Sequence, residues 1–324
     1  MRQSQNHLFT LAARDLGEIV HLSAAELEAL RGKRLFITGG TGFFGKWIVG
    51  ALVHANAAMR LGLELMVLSR DPDTFAARHP EVDRVPELSL LPGDVSDFSA
   101  EEWDFDFILH AGADTTAFTR EADERGRSRA IVEGTRNVLA LARRCGARML
   151  NVSSGAVYGA AAGSALGCGR EGLRHRAGRD ALRRGEARGG GAVRRLGADV
   201  VTARAFAFLG PHLPLDAHFA AGNFLRDAVR GGPILVRGDG HGAASYLHPI
   251  DLSCGCCASW CAARPGARTT SAPTRWCRRR SWRGSSAARS SRARRWSSSP
   301  RSRRVRRIFT CRPSRGRARS CGLV

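Results

Sequence analysis

An apolar strand pattern runs directly into three glycines at Arg34-Leu35-Phe36-Ile37-Thr38-Gly39-Gly40-Thr41-Gly42-Phe43-Phe44-Gly45, and a helical pattern follows at once. Few folds accommodate that succession. In G-x-x-G-x-x-G the first glycine permits a tight turn, the middle one lets backbone approach a pyrophosphate, and the last lets helix pack on strand. The helix beginning there offers unpaired N–H groups and the positive end of its dipole to that phosphate. The spacing alone also suits an ordinary strand-to-helix turn. In its strand–turn–helix setting it points to a dinucleotide site, with Gly39, Thr41, Gly42, Phe43, Phe44 and Gly45 as candidate residues.

Upstream, residues 11–30 carry apolar groups at helical spacing, with Ser23 placed as an N-cap and Glu26 three residues on to complete a capping box. Downstream, a helix over about 43–55 and a strand over 64–68 follow, the latter apolar on both faces as a parallel sheet requires. The strand tip selects the cofactor. An acidic residue there bonds the adenosine ribose, whereas this chain reads Ser69-Arg70-Asp71. Ser69 and Arg70 can pair with a 2′-phosphate, which favours NADP over NAD; a solvated loop is the other reading of Arg70.

A third strand, 88–91, ends in Pro92-Gly93-Asp94-Val95. Asp94 can accept the adenine amino proton while Val95 covers the ring; a loop Asp in a turn is the alternative. The fourth strand exits through His110-Ala111-Gly112-Ala113, small residues that let backbone sit against the cofactor, with His110 read as packed or capping rather than catalytic. A helix over about 121–145 contains Gly134 and Thr135, and a fifth strand, 147–152, leads to Ser153-Ser154-Gly155-Ala156-Val157-Tyr158-Gly159. Strands alternating with helices, with ligand groups at the carboxyl ends, define an α/β, doubly wound parallel sheet of Rossmann type.

These motifs, with Glu133-Gly134-Thr135, stand in the order and approximate spacing of the extended short-chain dehydrogenase/reductases, and the chain resembles their NAD(P)-dependent nucleotide-sugar epimerase/dehydratase branch. The likeness covers about 34–159 and resumes at 199–252, where Val200 to Pro211 resembles the sixth strand. Asn223-Phe224, Arg237 and Tyr246 fall where the resemblance implies a sugar-nucleotide pocket in a small C-terminal substrate-binding part. It further implies hydride exchange between a sugar carbon and nicotinamide, with Ser154 bonding the reacting oxygen; a strand-end serine bonding local backbone is the other reading. Such chemistry needs a tyrosine helped by a lysine, since a phenol titrates near ~10 in water.

That Tyr-x-x-x-Lys pair is absent. The tyrosines are Tyr158 and Tyr246, and the lysines are Lys33 and Lys46. Gly155 and Ala156 replace the acidic pair of the family's dehydratases, which argues towards epimerisation or ketone reduction. Ile131 and Ala207 stand where Asn is common, and Ala244 where an Arg binds diphosphate. Family members often dimerise through a helix pair that includes the Tyr/Lys helix, so a homodimer is among the implications.

Two segments break the pattern. Residues 160–198 hold 10 Gly and 9 Arg, and residues 253–324 hold 20 Arg and 14 Ser with no Asp, Glu or Lys. Together they account for the net charge of +22, since residues 1–159 and 199–252 are slightly acidic. Neither shows an apolar period, and both start abruptly, so the expectation is out-of-frame translation of a GC-rich gene and a disordered tail. Nucleic-acid binding, by arginine neutralisation of phosphates with stacking on Trp260, Trp276, Trp282 and Trp296, is the rival, disfavoured by the missing lysines and the abrupt onset. The chain thus divides into a helical extension (1–30), a Rossmann domain (31–211, aberrant over 160–198), a partial substrate-binding part (212–252) and an Arg/Ser-rich tail (253–324). Cys254, Cys256, Cys257 and Cys261 lack a His or acidic partner at ligand spacing, so no metal site is expected. No apolar run spans a bilayer and the start lacks a signal-peptide plan, which implies a cytoplasmic protein. Retranslating the gene across 160–198 in the other two frames is expected to reveal Tyr-x-x-x-Lys; its absence from both would refute the frame-shift reading.

Overall fold

The computed structural model describes residues 8–112, 124–154, 199–205, 207–216, 219–235, 246–262 and 268–270. Seven parallel strands form one sheet in the order β3-β2-β1-β4-β5-β6-β9. They are β1 (Arg34–Thr38), β2 (Glu64–Ser69), β3 (Leu88–Pro92), β4 (Phe107–His110), β5 (Arg148–Ser154), β6 (Val200–Ala205) and β9 (Arg268–Thr270). Order reverses between β1 and β4, so their carboxyl ends open a crevice where ligands bind in such sheets.

Period-2 alternation explains the two layers. Leu35 and Ile37 of β1 join Leu65, Val67, Leu109, Leu150 and Val201 in the larger core, while Phe36 faces the other way with Ile108 and Met149. The helix α3 (Phe43–Met59) covers the larger core with buried Trp47, Ile48, Ala51 and Leu52, and α5 (Glu124–Cys145) covers the second with Val138, Leu139 and Ala142. Asp106 fixes the start of β1 beside β4 by accepting from Lys33 Nζ at 2.8 Å and the Arg34 amide at 2.9 Å. A short helix, α4 (Pro72–Arg78), not anticipated from the sequence, follows β2 and is capped by Asp71, which accepts from the Thr74 amide at 3.0 Å.

The N-terminal segment is part of the core. Helices α1 (Ala13–Leu22) and α2 (Ala24–Glu28) bury Leu16, Ile19 and Leu27. Phe9, with φ 59°, donates its amide to Glu81 Oε1 at 3.0 Å and accepts from His212 Nε2 at 2.6 Å. Ser23 does separate two helices, but its hydroxyl makes no cap bond, contrary to the capping-box expectation: the residue is buried beside Cys254.

Downstream, β7 (Ala207–Phe208) and β8 (Tyr246–Leu247) form a small parallel sheet, and α6 (Ala220–Val229) lies between them in sequence. The expectation that order ends at 252 is corrected by α7 (Pro249–Ala262) and by β9 at the sheet edge. Leu252, Ser253, Cys254, Cys256, Cys257, Ser259 and Trp260 are all buried. None of its described residues is exposed, with Asp251, Gly255, Ala258 and Cys261 half-buried, so the helix has no solvated polar face and carries no amphipathic period to read. Residues 160–198 and 271–324 lie outside the described residues. No helix among the described residues is long and apolar enough to cross a membrane.

Trp260 packs edge-on against Phe107, ring centroids 5.6 Å apart, and donates Nε1–H to the Arg148 carbonyl at 3.4 Å. Trp260→Ala is therefore expected to cost about 3–5 kcal/mol in urea unfolding. A loss below ~1 kcal/mol would show that the segment after 252 is not part of the core.

Candidate functional site

Gly39 has φ 74°, and a Cβ there would overlap the Ala111 carbonyl oxygen and lie 2.8 Å from Gly112 N. Gly45 is bare for a second reason: its Cβ would meet the backbone of Gly39 and Gly40. Gly42 differs from both. It is exposed, has φ −81°, donates its amide to Gly39 O at 3.1 Å, and a Cβ would find only that oxygen at 3.4 Å. Neither backbone angle nor internal packing requires a glycine at 42, which leaves approach from outside as the physical reason for one.

Gly42 is also the N-cap of α3, whose first turn has neither an acidic residue nor a side-chain cap, unlike α4 with Asp71. An uncapped positive helix end beside a bare glycine suits an anionic ligand, so these residues fit a dinucleotide's pyrophosphate. Phe43 and Phe44 turn their rings towards Phe208, at centroid distances of 6.2 and 6.3 Å. What they present at the helix start is backbone.

At the tip of β2, Ser69 is buried, its Oγ accepts from the Asp71 amide at 3.3 Å, and its carbonyl accepts from Gly93 N at 3.0 Å. Arg70 is exposed. The Thr74 bonds to Asp71 hold that carboxyl below its ordinary range. Asp94 Oδ1 accepts from Ser96 N at 2.9 Å and Ser96 Oγ at 2.6 Å, a turn arrangement that occupies one carboxylate oxygen. Val95 packs over Gly134 of α5, where a Cβ would come within 2.7 Å of its methyl.

His110 is fully packed. Its Nδ1 lies 2.8 Å from Thr38 Oγ1 and its Nε2 3.2 Å from Thr135 Oγ1, while Gly112 N donates to Thr38 Oγ1 at 3.1 Å. Burial pushes its pKa down to about 4. Thr38 and Thr135 were not singled out from the sequence as site residues. The available signal was a hydroxyl at the end of an otherwise apolar buried strand, since buried hydroxyls need partners.

The structure thus brings Gly39, Thr41 to Gly45 and His110 to Gly112 to the carboxyl ends of neighbouring strands. Ser69 ends β2 and Asp94 follows β3 on one side, and Ser153 and Ser154 end β5 on the other. Ser153 is buried and Ser154 half-buried, in register with Arg204 and Ala205 of β6. Tyr246 sits apart in β8, its phenol pKa raised by burial. Asn223 and Phe224 lie on α6, where Asn223 Oδ1 accepts from Arg226 at 3.1 Å. Ala113 and Arg237 lie outside the described residues. Cys254, Cys256 and Cys257 are buried free thiols on one helix, with Cys256 pushed up to about 12 by burial, and the described residues contain no cluster able to hold a metal.

The chain matches the NAD dependent epimerase/dehydratase family over residues 35–264 and belongs to it. UDP-glucuronic acid decarboxylase 1 of Arabidopsis thaliana is 28% identical over 231 residues, 68% of this chain and 50% of the relative. The chain therefore spans about half the length of that curated relative. The dTDP-glucose 4,6-dehydratase of Streptomyces venezuelae, solved with NAD bound, is 25% identical with a TM-score of 0.62, covering 73% of this chain and 74% of that one. A UDP-N-acetylglucosamine 4-epimerase from Methanobrevibacter ruminantium shares the fold at 17% identity and TM-score 0.63, covering 75% and 77%.

Unfolded histidine takes up a proton near ~6.5, whereas His110 stays neutral down to about 4. The unfolded chain binds more protons across that window, so His110 costs nothing above it and destabilises the fold increasingly as pH falls, by about 3 kcal/mol in all. Urea unfolding of wild type and His110→Gln across this range is expected to show a shallower acid dependence in the variant. Equal slopes would contradict a neutral buried ring.

Proposed function

We propose that this chain binds NAD(H) or NADP(H) across the carboxyl ends of β1 and β4 and acts on a nucleotide-sugar. The observation that carries the reading is the uncapped α3 N-terminus beside Gly42, bare without internal cause. The amides of the first turn would hold the pyrophosphate, and the Ala111–Gly112 backbone would border the nicotinamide half. Arg70, at the β2 tip where Asp71 is taken by the α4 cap, supports a 2′-phosphate and hence NADP(H). When bound, such a cofactor supplies a hydride acceptor and donor. Ser154 would donate its hydroxyl to the reacting sugar oxygen, with Asn223, Phe224, Arg237 and Tyr246 contributing to the sugar-nucleotide pocket. By the resemblance, the chemistry would be epimerisation or reduction at a sugar carbon, in a protein of the cytoplasm that forms homodimers.

A second reading is a dinucleotide-binding protein without turnover. It is favoured by the two tyrosines and two lysines, none of them spaced Tyr-x-x-x-Lys. With no such pair, nothing at that spacing would move the hydroxyl proton near neutral pH.

Fluorescence titration with NADH and NADPH, beside turnover assays on UDP- and dTDP-sugars, separates the two. Binding with turnover supports the enzyme, binding alone supports the second reading, and no binding refutes both. Gly42→Val is expected to weaken cofactor binding by at least about tenfold while changing stability by less than ~1 kcal/mol, because its Cβ would meet only the Gly39 oxygen, at an ordinary 3.4 Å. Undiminished binding in that variant would move the pyrophosphate away from this turn.

A further inference from the structure

Two threonines and a histidine beneath the cradle form a hydrogen-bonded chain whose protons can be placed. Thr135 Oγ1 lies 2.7 Å from the Ile131 carbonyl, which can only accept, so the hydroxyl proton points there. His110 Nε2, at 3.2 Å from Thr135 Oγ1, must therefore be the donor of that pair. In a neutral ring Nδ1 is then an acceptor, and Thr38 Oγ1 donates to it across 2.8 Å. The Thr38 oxygen still accepts from the Gly112 amide at 3.1 Å. Polarity runs one way, from Gly112 N–H through Thr38, His110 and Thr135 to the Ile131 carbonyl. Burial without an anionic partner keeps the ring neutral.

The chain spans three elements that must stay in place. Thr38 ends β1, His110 ends β4, and Thr135 belongs to α5. With its amide turned inwards, Gly112 backs onto Thr38, where a Cβ would stand 2.9 Å from Oγ1, and the Ala111–Gly112 peptide lies against Gly39. We propose that His110 is a positioning residue for dinucleotide binding: as the neutral Nε2–H tautomer it orients Thr38, and through it the Gly112 amide, so that the exits of β1 and β4 hold a fixed spacing before the cofactor arrives. This rests on the reading that the dinucleotide binds at those exits.

Thr38→Val keeps the side-chain shape and removes both bonds at the centre of the chain, whereas Thr38→Ser keeps the hydroxyl. In the full-length protein, NADH affinity is expected to fall about tenfold in Thr38→Val and to stay near wild type in Thr38→Ser. With 15N-histidine labelling, and the His110 signal assigned by its loss in His110→Gln, the wild-type ring is expected to carry its proton on Nε2 alone. That pattern should hold from about pH 7.5 to about 5.5 and persist in Thr38→Val, where Nε2–H keeps its Thr135 acceptor, while Thr135→Val should give mixed tautomers. If Thr38→Val does not fold, Thr135→Val replaces it: freeing Nε2 should mix the tautomers and weaken NADH several-fold. Wild-type affinity in whichever variant folds, or a proton on Nδ1 in the wild type, would overturn the proposal. A wild-type protein that shows the Nε2–H ring but binds neither NADH nor NADPH would overturn the functional reading, and the positioning role with it.

Discussion

The Ala111 carbonyl occupies the space that a side chain on Gly39 would need, and the rest of the cradle depends on that contact. Two strand exits approach backbone to backbone at the switch point of the sheet, where order reverses and a crevice must open. A positive φ at Gly39 turns the chain away from β1, and the Gly45 backbone then settles on Gly39 and Gly40 so that α3 starts at the crevice rather than beyond it. A side chain at Gly39 would push the β1 and β4 exits apart, and one at Gly45 would lift α3 off the turn. Gly42 is held by neither constraint, so a substitution there bears on the proposed binding more than on folding.

Around the turn, the sheet is fixed from both faces. Alternate residues of β1 enter two cores, and the larger one is completed by pieces distant in sequence: Leu8, Phe9 and α1 from the start, α7 from near position 250. Trp47 of α3 reaches the Pro211 carbonyl at 3.1 Å, and His212 bonds the Phe9 carbonyl, so the exit of the sixth strand is tied to the helix that begins at the glycine turn. The N-terminal segment thus acts as a packing layer over α3 and α7 rather than a lead-in to the fold.

Legibility followed the physics of each element. Strands β1 to β5 are readable because strands buried on both faces give apolar runs bounded by turn residues, whereas the sixth is placed by the resemblance over Val200 to Pro211 and ends at Ala205, with β7 in a separate sheet. Glycine spacing named the turn but not the division of labour within it, since whether a glycine serves φ, packing or a ligand depends on neighbours such as Ala111 that lie some 70 residues away in the chain. His110 reads as packed from the sequence, but its bonds to Thr38 and Thr135 do not, because one polar partner tells nothing about the other until β1, β4 and α5 are set side by side. The segment after 252 was misread for the opposite reason. Cys, Ser and Gly carry no obvious period, and a helix enclosed on all sides by α1, α2, α3 and the sheet needs none.

Binding and chemistry are separable in a sheet of this kind, because its parts come from different stretches of chain. The glycine turn, the β2 and β3 tips and the β4 exit are all built before residue 113, within well-patterned sequence. By the family resemblance, proton transfer would draw on groups beyond the end of β5, where this chain has no lysine and no Tyr-x-x-x-Lys spacing. A hydride can move at a carbinol carbon only as its hydroxyl proton leaves, so a complete cradle does not by itself make a catalyst. Conversely, loss of the proton-transfer pair leaves the forces that hold the cradle untouched: the Gly39–Ala111 contact, the Thr38–His110–Thr135 chain and the two cores make no use of it. The family match runs over residues 35–264, yet the chain as it stands holds no Tyr-x-x-x-Lys, so any activity it has must draw its general base from outside that spacing.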